Sequence, residues 1–197
     1  MLVSECLFSG FCTESICDRA CPNLVESSYL LERNGLRPDN SVVSSSEPDI
    51  DNMLRMLEQS ENEFKVVISD NTAATANLLT YCAICKYWQG NRLHCNVYHL
   101  RFSNHIDSLQ RSWGLKEVPE ALEYEQIWIA SAKLLIISNI DFVKFQDFQS
   151  QTLLNIIHSR MVNGLTTIVV SPKIQTLVGS GMFFSRIKEM FGKAVLS

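Results

Sequence analysis

The stretch KLLIISNIDFVKFQDFQSQTLLNIIHSRMVNGLTTIVVSP, residues 133–172, decides the fold of this chain. Its two ends, Leu134–Ile137 and Thr166–Val170, are short apolar runs rich in β-branched residues, as expected of strands buried on both faces. Between them, Phe148–Met161 places apolar residues on one face of a helix, which Asn163–Gly164 ends. A strand, a helix and a strand joined in this way form a βαβ unit, so the sequence predicts parallel neighbouring strands in an α/β sheet.

The same segment resembles the Walker B to sensor I region of the AAA+ ATPases that load replicative helicases, the DnaC/DnaI type, and of the related IstB-type transposition helpers. In those families the first strand ends in two acidic residues, and here Ser138–Asn139 replaces them. The second strand ends in Ser171–Pro172, where the families carry a polar sensor residue. Asp141 is either a displaced carboxylate or a turn residue. Arg160 matches the family arginine that follows Walker B, and we expect it to form a structural ion pair.

A second segment, Phe64 to Trp88, resembles the strand, P-loop and helix of the same families. Phe64–Ile68 is the predicted strand and Leu78–Trp88 the predicted helix. The loop between them, Asp70-Asn71-Thr72-Ala73-Ala74-Thr75-Ala76-Asn77, stands where G-N-T-G-S-G-K-T is expected. Every glycine is replaced, and Ala76 and Asn77 take the places of the phosphate-binding Lys and the magnesium-binding Ser or Thr.

These replacements remove the chemistry of nucleotide binding. A P-loop needs glycines so that its backbone N–H groups can wrap around phosphate, and it needs the charge of the Lys. The resemblance therefore implies a degenerate Walker A motif (Asp70, Thr75, Ala76, Asn77) and a degenerate Walker B motif (Ser138, Asn139). We expect a pseudo-ATPase to which ATP does not bind tightly, and no enzyme activity.

Composition and breaker residues divide the chain into three parts. With 197 residues, 46% of them hydrophobic, it can form one medium α/β domain with a small appendage. The predicted parts are a Cys-rich N-terminal module (1–37), a linker with a lead-in helix (38–60) and the degenerate AAA+ ATPase-like domain (61–197). Within the last, His94–Leu100 is a predicted strand and Ser103–Trp113 a predicted helix. The fold class is thus α/β, with a P-loop NTPase-like parallel sheet flanked by helices.

Hydropathy and charge restrict the partners. No apolar run reaches the roughly 18 residues of a membrane span, so we expect a soluble, cytoplasmic protein with no membrane partner. The net charge of −4 gives no general attraction to nucleic acid. Contact with DNA would therefore need a local basic patch or a partner protein.

Four cysteines fall within the first 21 residues, at Cys6, Cys12, Cys17 and Cys21. Their density, in a chain without a secretion signal, favours metal ligation over disulfides. Four thiolates can hold a zinc ion or, equally, an iron–sulfur cluster, and unligated thiols are the alternative. A further pair, Cys82 and Cys85, lies inside an apolar helix, which favours core packing over a redox role.

The C-terminal segment carries one residue that the resemblance marks as catalytic in type. Ser180 to Ile187 is similar to the stretch in which the loaders carry a Ser-Arg pair, here Ser185–Arg186. In the family that arginine can contact ATP held by a neighbouring subunit, so Arg186 would act in trans as an arginine finger. The alternative is a surface arginine that flanks the last helix.

The resemblance implies a catalytically inactive AAA+-like subunit that acts in DNA replication as a helicase-loader or primosome accessory protein. It would form a hetero-oligomer with an ATP-competent AAA+ paralogue or with the replicative helicase, and would reach DNA through these partners. The alternatives are an IstB-like transposition regulator that bridges transposase and target DNA, and a metal-bearing interaction domain with no relation to ATP.

Overall fold

The computed structural model describes residues 29–36, 47–58, 64–90, 96–144 and 146–172, and helices alternate with strands along them. Residues 29–33 are helical and are labelled α1. The other elements, in chain order, are α2 (Glu47–Glu58), β1 (Phe64–Ile68), α3 (Thr72–Gly90), β2 (Val97–Arg101), α4 (Phe102–Ser112), α5 (Glu120–Ser131), β3 (Leu134–Ser138), α6 (Asp147–Val162) and β4 (Thr166–Ser171).

The four strands form one parallel sheet in the order β1-β4-β3-β2. Strands β3 and β4 are neighbours, with Leu134 opposite Thr166 and Leu135 opposite Thr167, and α6 connects them. The predicted βαβ unit is therefore confirmed. Both strands are buried along their whole length, as their unbroken apolar runs predicted.

Helices cover both faces of the sheet because the chain crosses it in two directions. The connection from β1 to β2 runs across the full sheet, and the connections to β3 and β4 return. Right-handed crossovers in opposite directions place their helices on opposite faces. Leu134 and Ile136 accordingly pack with Leu79 of α3, whereas Leu135 and Ile137 pack with α4, α5 and α6. The α/β class with flanking helices is confirmed.

The end of α6 follows the predicted signal. Gly164 has φ 64°, the left-handed conformation that glycine adopts without steric cost. Its N–H donates to the carbonyl of Met161 at 2.9 Å, and the N–H of Leu165 donates to that of Arg160 at 2.9 Å. These bonds satisfy the last carbonyls of the helix and direct the chain into β4.

Residues 29–36 pack on the sheet, although the sequence assigned them to the N-terminal module. Leu30, Leu31 and Leu36 belong to the apolar cluster that contains α3 and one face of the sheet. Leu57 of α2, the predicted lead-in helix, joins the same cluster. The rest of the predicted Cys-rich module lies outside the described residues. Among the helices that are described, none is both long and apolar enough to cross a bilayer.

Asn34 covers the outer edge of β2. Its Oδ1 accepts a hydrogen bond from the backbone N–H of His99 at 2.7 Å, and its Nδ2 lies 3.4 Å from the carbonyl oxygen of Val97. The same Nδ2 donates to the carbonyl of Leu30 at 2.8 Å. One buried side-chain amide thus takes the place that a residue of a further strand would occupy. It satisfies an edge that could otherwise pair with another chain.

Candidate functional site

The two motif-like segments meet at the carboxyl edge of the sheet. Because all four strands are parallel, the segments after β1, β3 and β4 leave the sheet on the same side. The N–H of Ser69 donates to the carbonyl of Ser171 at 3.0 Å, which joins the ends of β1 and β4. In open α/β sheets ligands bind at this edge, where connections diverge to opposite faces. The residues that follow β1 and β3 therefore form the candidate site, with β4 between them.

The loop after β1 contains only Ser69, Asp70 and Asn71, because α3 begins at Thr72. The sequence predicted a loop up to Asn77 and a helix from Leu78, and that boundary is wrong. The physical reason is a cap at Asn71, whose Oδ1 accepts from the N–H of Ala74 at 3.2 Å. Asparagine is a favoured N-cap residue, and the residues after it form helix readily.

Several hydrogen-bonding groups of this turn are used within the turn itself. The N–H of Asn71 donates to Ser69 Oγ at 3.2 Å, and the N–H of Thr75 donates to the carbonyl of Asn71 at 3.0 Å. Ser69 Oγ also lies 2.6 Å from Thr75 Oγ1. A P-loop turns its N–H groups toward phosphate. Here a phosphate would have to displace the cap before it could reach these donors.

Ala76 does not face the carboxyl edge. It is fully buried and belongs to the apolar cluster with Leu79 and Ile168. Asn77, next to it, is partly exposed, and Asp70 is exposed. The position aligned with the P-loop Lys is therefore buried in the core, whereas Asp70 and Asn77 are in contact with solvent.

The end of β3 carries a buried pair of neutral polar side chains. Ser138 is 1% exposed, and its Oγ lies 2.8 Å from Nε2 of His99 on β2. Asn139 follows in the left-handed conformation with φ 57° and is partly buried. Asp141, the possible displaced carboxylate, is half-buried, and its Oδ1 has no hydrogen-bond partner among the described residues. Ser138 and Asn139, the positions aligned with Walker B, thus lie at the carboxyl edge of the sheet and carry a hydroxyl and an amide.

His99 is a site residue that the sequence analysis did not single out. Burial lowers the pKa of His99 to about 3, and the positive charge of Arg101 adds to this effect. The imidazole is therefore neutral at pH 7. The signal that could have found it is its place in the strand, two residues after Val97 and so on the same buried face.

We expect the free energy of unfolding to fall as the pH drops below about 6.5, the ordinary pKa of histidine. The unfolded chain then protonates His99, while the folded chain keeps it neutral down to a pH near its folded pKa of about 3. The loss between pH 7 and pH 4.5 is expected to be about 2 to 3 kcal/mol from this group.

Urea unfolding at a series of pH values measures this loss, and His99→Gln, which can still bond Ser138, is the control. The difference in stability between the native chain and His99→Gln should shrink as the pH falls. A difference that stays constant from pH 7 to pH 4.5 would show that His99 titrates normally in the folded protein.

Arg160 has a structural role, but among the described residues it makes hydrogen bonds to neutral groups in place of the expected ion pair. It is 1% exposed, and its three nitrogen atoms donate to neutral acceptors. Nε bonds Thr167 Oγ1 at 2.9 Å, Nη1 bonds the carbonyl of Ile129 at 2.7 Å and Nη2 bonds the carbonyl of Thr166 at 2.6 Å. Ile129 lies in the last turn of α5, so the guanidinium caps that helix. Burial lowers the pKa of Arg160 to about 10, which leaves it charged at pH 7.

A second polar cluster, also missed, links α4, α5 and β2. Glu125 Oε2 lies 2.7 Å from Nδ1 of His105, and its Oε1 accepts from the hydroxyl of Tyr98 at 3.2 Å. Burial raises the pKa of Tyr98, and the charge of Glu125 raises it further, so the phenol remains a donor. The three residues are far apart in sequence, and no spacing rule connects them.

The prediction of zinc or an iron–sulfur cluster as a cofactor is wrong. In the part of the chain that the structure describes, no group of three or more His, Cys, Asp or Glu side chains could hold a metal ion. Two of the described histidines and Cys82 have other surroundings, since His99 bonds Ser138, His105 bonds Glu125 and Cys82 is buried in the apolar cluster. The predicted ligands, Cys6, Cys12, Cys17 and Cys21, lie outside the described residues. No metal is assigned to this chain.

Arg186, predicted to act in trans, also lies outside the described residues. The geometry of the candidate site thus rests on the residues that follow β1, β3 and β4. The chain matches no protein-family model, and no curated protein is significantly similar to it.

Proposed function

We propose that this chain is a non-hydrolysing AAA+-like subunit that acts in DNA replication as a helicase-loader or primosome accessory protein. It would work through an ATP-competent AAA+ paralogue or the replicative helicase, with Arg186 as the residue that reaches a neighbour's nucleotide. The proposal has two parts. The chain has no nucleotide site of its own, and it acts through a partner protein.

The observation that carries the first part is the start of α3 at Thr72. In the parallel sheet, β4 lies between β1 and β3, the strands that precede the Walker A-like and Walker B-like segments. Within that frame, the three-residue loop is closed by its own cap, and Ala76 is a core residue. Catalysis of phosphoryl transfer is mostly positioning and charge stabilisation of the phosphates. A site without glycines, Lys or paired carboxylates provides neither.

Action through a partner is inferred from the lack of a nucleotide site together with the resemblance to AAA+ subunits. A subunit that keeps the sheet but lacks a nucleotide site would affect an ATPase only by binding to it. An arginine supplied to a neighbouring active site can raise phosphoryl transfer strongly, even when its own subunit binds no nucleotide. This is why Arg186, rather than the degenerate motifs, is the residue we assign to function.

The test uses the full chain, a hexameric replicative helicase and its ATP-competent loader. We expect no ATP hydrolysis by the purified chain, retention of the helicase or the loader on the immobilised chain, and a changed ATPase rate of the retained partner. Arg186→Ala should keep the binding and lose the change in rate. Substantial turnover by the chain alone, or no retention of either partner, would contradict the proposal.

A further inference from the structure

A cavity of about 380 Å³ opens beside α4, α5 and the loop that joins them. This volume is in the range of sites that accept a small ligand or a few side chains. Apolar groups form much of its wall, with the ring of Trp128 beside Leu115, Pro119 and Leu122. Tyr98 packs against Trp128, with ring centroids 5.5 Å apart, so the floor of the cavity is fixed by the sheet.

Two charged side chains line the same cavity, and their surroundings differ. Glu125 is engaged, since it accepts from His105 and Tyr98 through its two oxygens. Arg111 is exposed, and no carboxylate of the described residues forms an ion pair with it. The charged group that is available to an occupant of the cavity is therefore the guanidinium of Arg111, because both oxygens of Glu125 are already hydrogen-bonded.

Exposed apolar side chains are frequent in the segment that lines the cavity, and each of those in residues 113–127 lines it or is adjacent in sequence to a residue that does. Nine large apolar side chains are exposed among the described residues, and five of them fall within residues 113–127. These five are Trp113, Leu115, Val118, Tyr124 and Ile127, each about half exposed or more. Tyr124 also stacks on Trp128, at 6.2 Å between centroids, which continues the apolar surface into the cavity.

These exposed apolar side chains form an apolar rim beside a cavity whose Arg111 has no ion-pair partner among the described residues. Such a combination is typical of a protein interface rather than of a site for a small molecule. A small ligand that filled the cavity would leave the rim in water. A protein segment could cover the rim and fill the cavity together, because interfaces concentrate their binding energy in a few buried anchor side chains.

We propose that the cavity of α4 and α5 is a docking site for a segment of a partner protein. The segment inserts one apolar side chain against Trp128 and places an Asp or Glu carboxylate on Arg111. This inference rests on the proposed function only in that the chain acts through a protein partner. It assigns the contact surface for that partner to residues 108–128, on the face of the sheet opposite α3.

The test selects binders of the full chain from a display library of randomised short peptides. We expect the selected peptides to share an apolar residue, preferably aromatic, close to an acidic one. Arg111→Glu and the cavity-filling variant Ala121→Trp should each weaken the best peptide by about tenfold or more. Arg55→Glu, an exposed arginine on α2, is the matched control and should bind as the native chain does.

A charge exchange makes the assignment specific. A peptide whose acidic residue is replaced by lysine should lose affinity for the native chain and recover it on Arg111→Glu. Selected peptides without an acidic residue, or equal binding to Arg111→Glu and Ala121→Trp, would overturn the proposal. So would N-acetyltryptophan that binds as tightly as the peptides, because the occupant would then be a small molecule.

The same variants separate this inference from the proposed function. If the helicase or the loader is retained equally by the native chain and Ala121→Trp, the docking site is wrong and the proposed function stands. If peptides dock as described but neither partner is retained, the proposed function fails and the docking site stands.

Discussion

Replacing Ala76 with lysine is expected to lower the free energy of unfolding by about 3 to 5 kcal/mol and to create no ATP site. The alignment with a P-loop puts the phosphate-binding Lys at this position, but the side chain is fully buried among Leu79 and Ile168. A lysine there must bury its ammonium group without a partner, or distort the first turns of α3 to expose it.

Urea unfolding and MgATP titration of Ala76→Lys check this prediction together. Ala74→Lys, at an exposed position of the same helix, is the control and should cost no more than about 1 kcal/mol. If Ala76→Lys is as stable as the native chain and binds MgATP, then position 76 faces the carboxyl edge and the segment is a P-loop.

Replacing Arg160 with methionine is expected to destabilise the fold by about 3 kcal/mol. The guanidinium joins three elements, since it bonds the last turn of α5, belongs to α6 and bonds the first two residues of β4. Its removal leaves the carbonyl of Ile129 and the hydroxyl of Thr167 without this donor. Loss of the buried charge offsets a part of the cost, because burial disfavours the cation.

A conservative variant tests whether the stability depends on the geometry of the Arg160 guanidinium or only on its charge. Arg160→Lys keeps a cation but has one nitrogen, which cannot reach three acceptors in different directions. We expect it to lose most of the same stability, whereas the exposed Arg111→Met should stay within about 0.5 kcal/mol of the native chain. A fully stable Arg160→Lys would mean that the three hydrogen bonds contribute little.

The sequence predicted those parts of the fold that local pattern determines. The strands β3 and β4 were found because both are buried on both faces and therefore read as unbroken apolar runs. The end of α6 was found because Asn163–Gly164 is a local stop signal. The parallel pairing of β3 with β4 was then predicted from the length of the connection between them.

The start of α3 was not predicted, because the resemblance to a P-loop outweighed the local helix signal. Matching the segment to a glycine-rich loop extended the loop to Asn77, although Asn71 followed by Thr and Ala residues is itself a helix start. In the structure the helix begins where this local signal indicates, with the cap at Asn71.

The polar clusters could not be predicted, because they depend on packing between distant segments. His99 and Ser138 meet only because β2 and β3 are neighbours in a register that no local pattern specifies. His105 and Glu125 meet because α4 and α5 pack on the same face of the sheet. The buried role of Arg160 was anticipated, but its neutral partners were not, since the carbonyl acceptors carry no sequence signal.

We propose that this chain has a parallel sheet of the P-loop NTPase kind and no nucleotide site of its own. Calorimetric titration of the full chain with ATP and magnesium tests this proposal. We expect no binding tighter than about 1 mM. Micromolar binding that weakens in Asn71→Ala and Thr75→Ala would contradict the proposal, because it would show that the capped turn after β1 opens to hold phosphate.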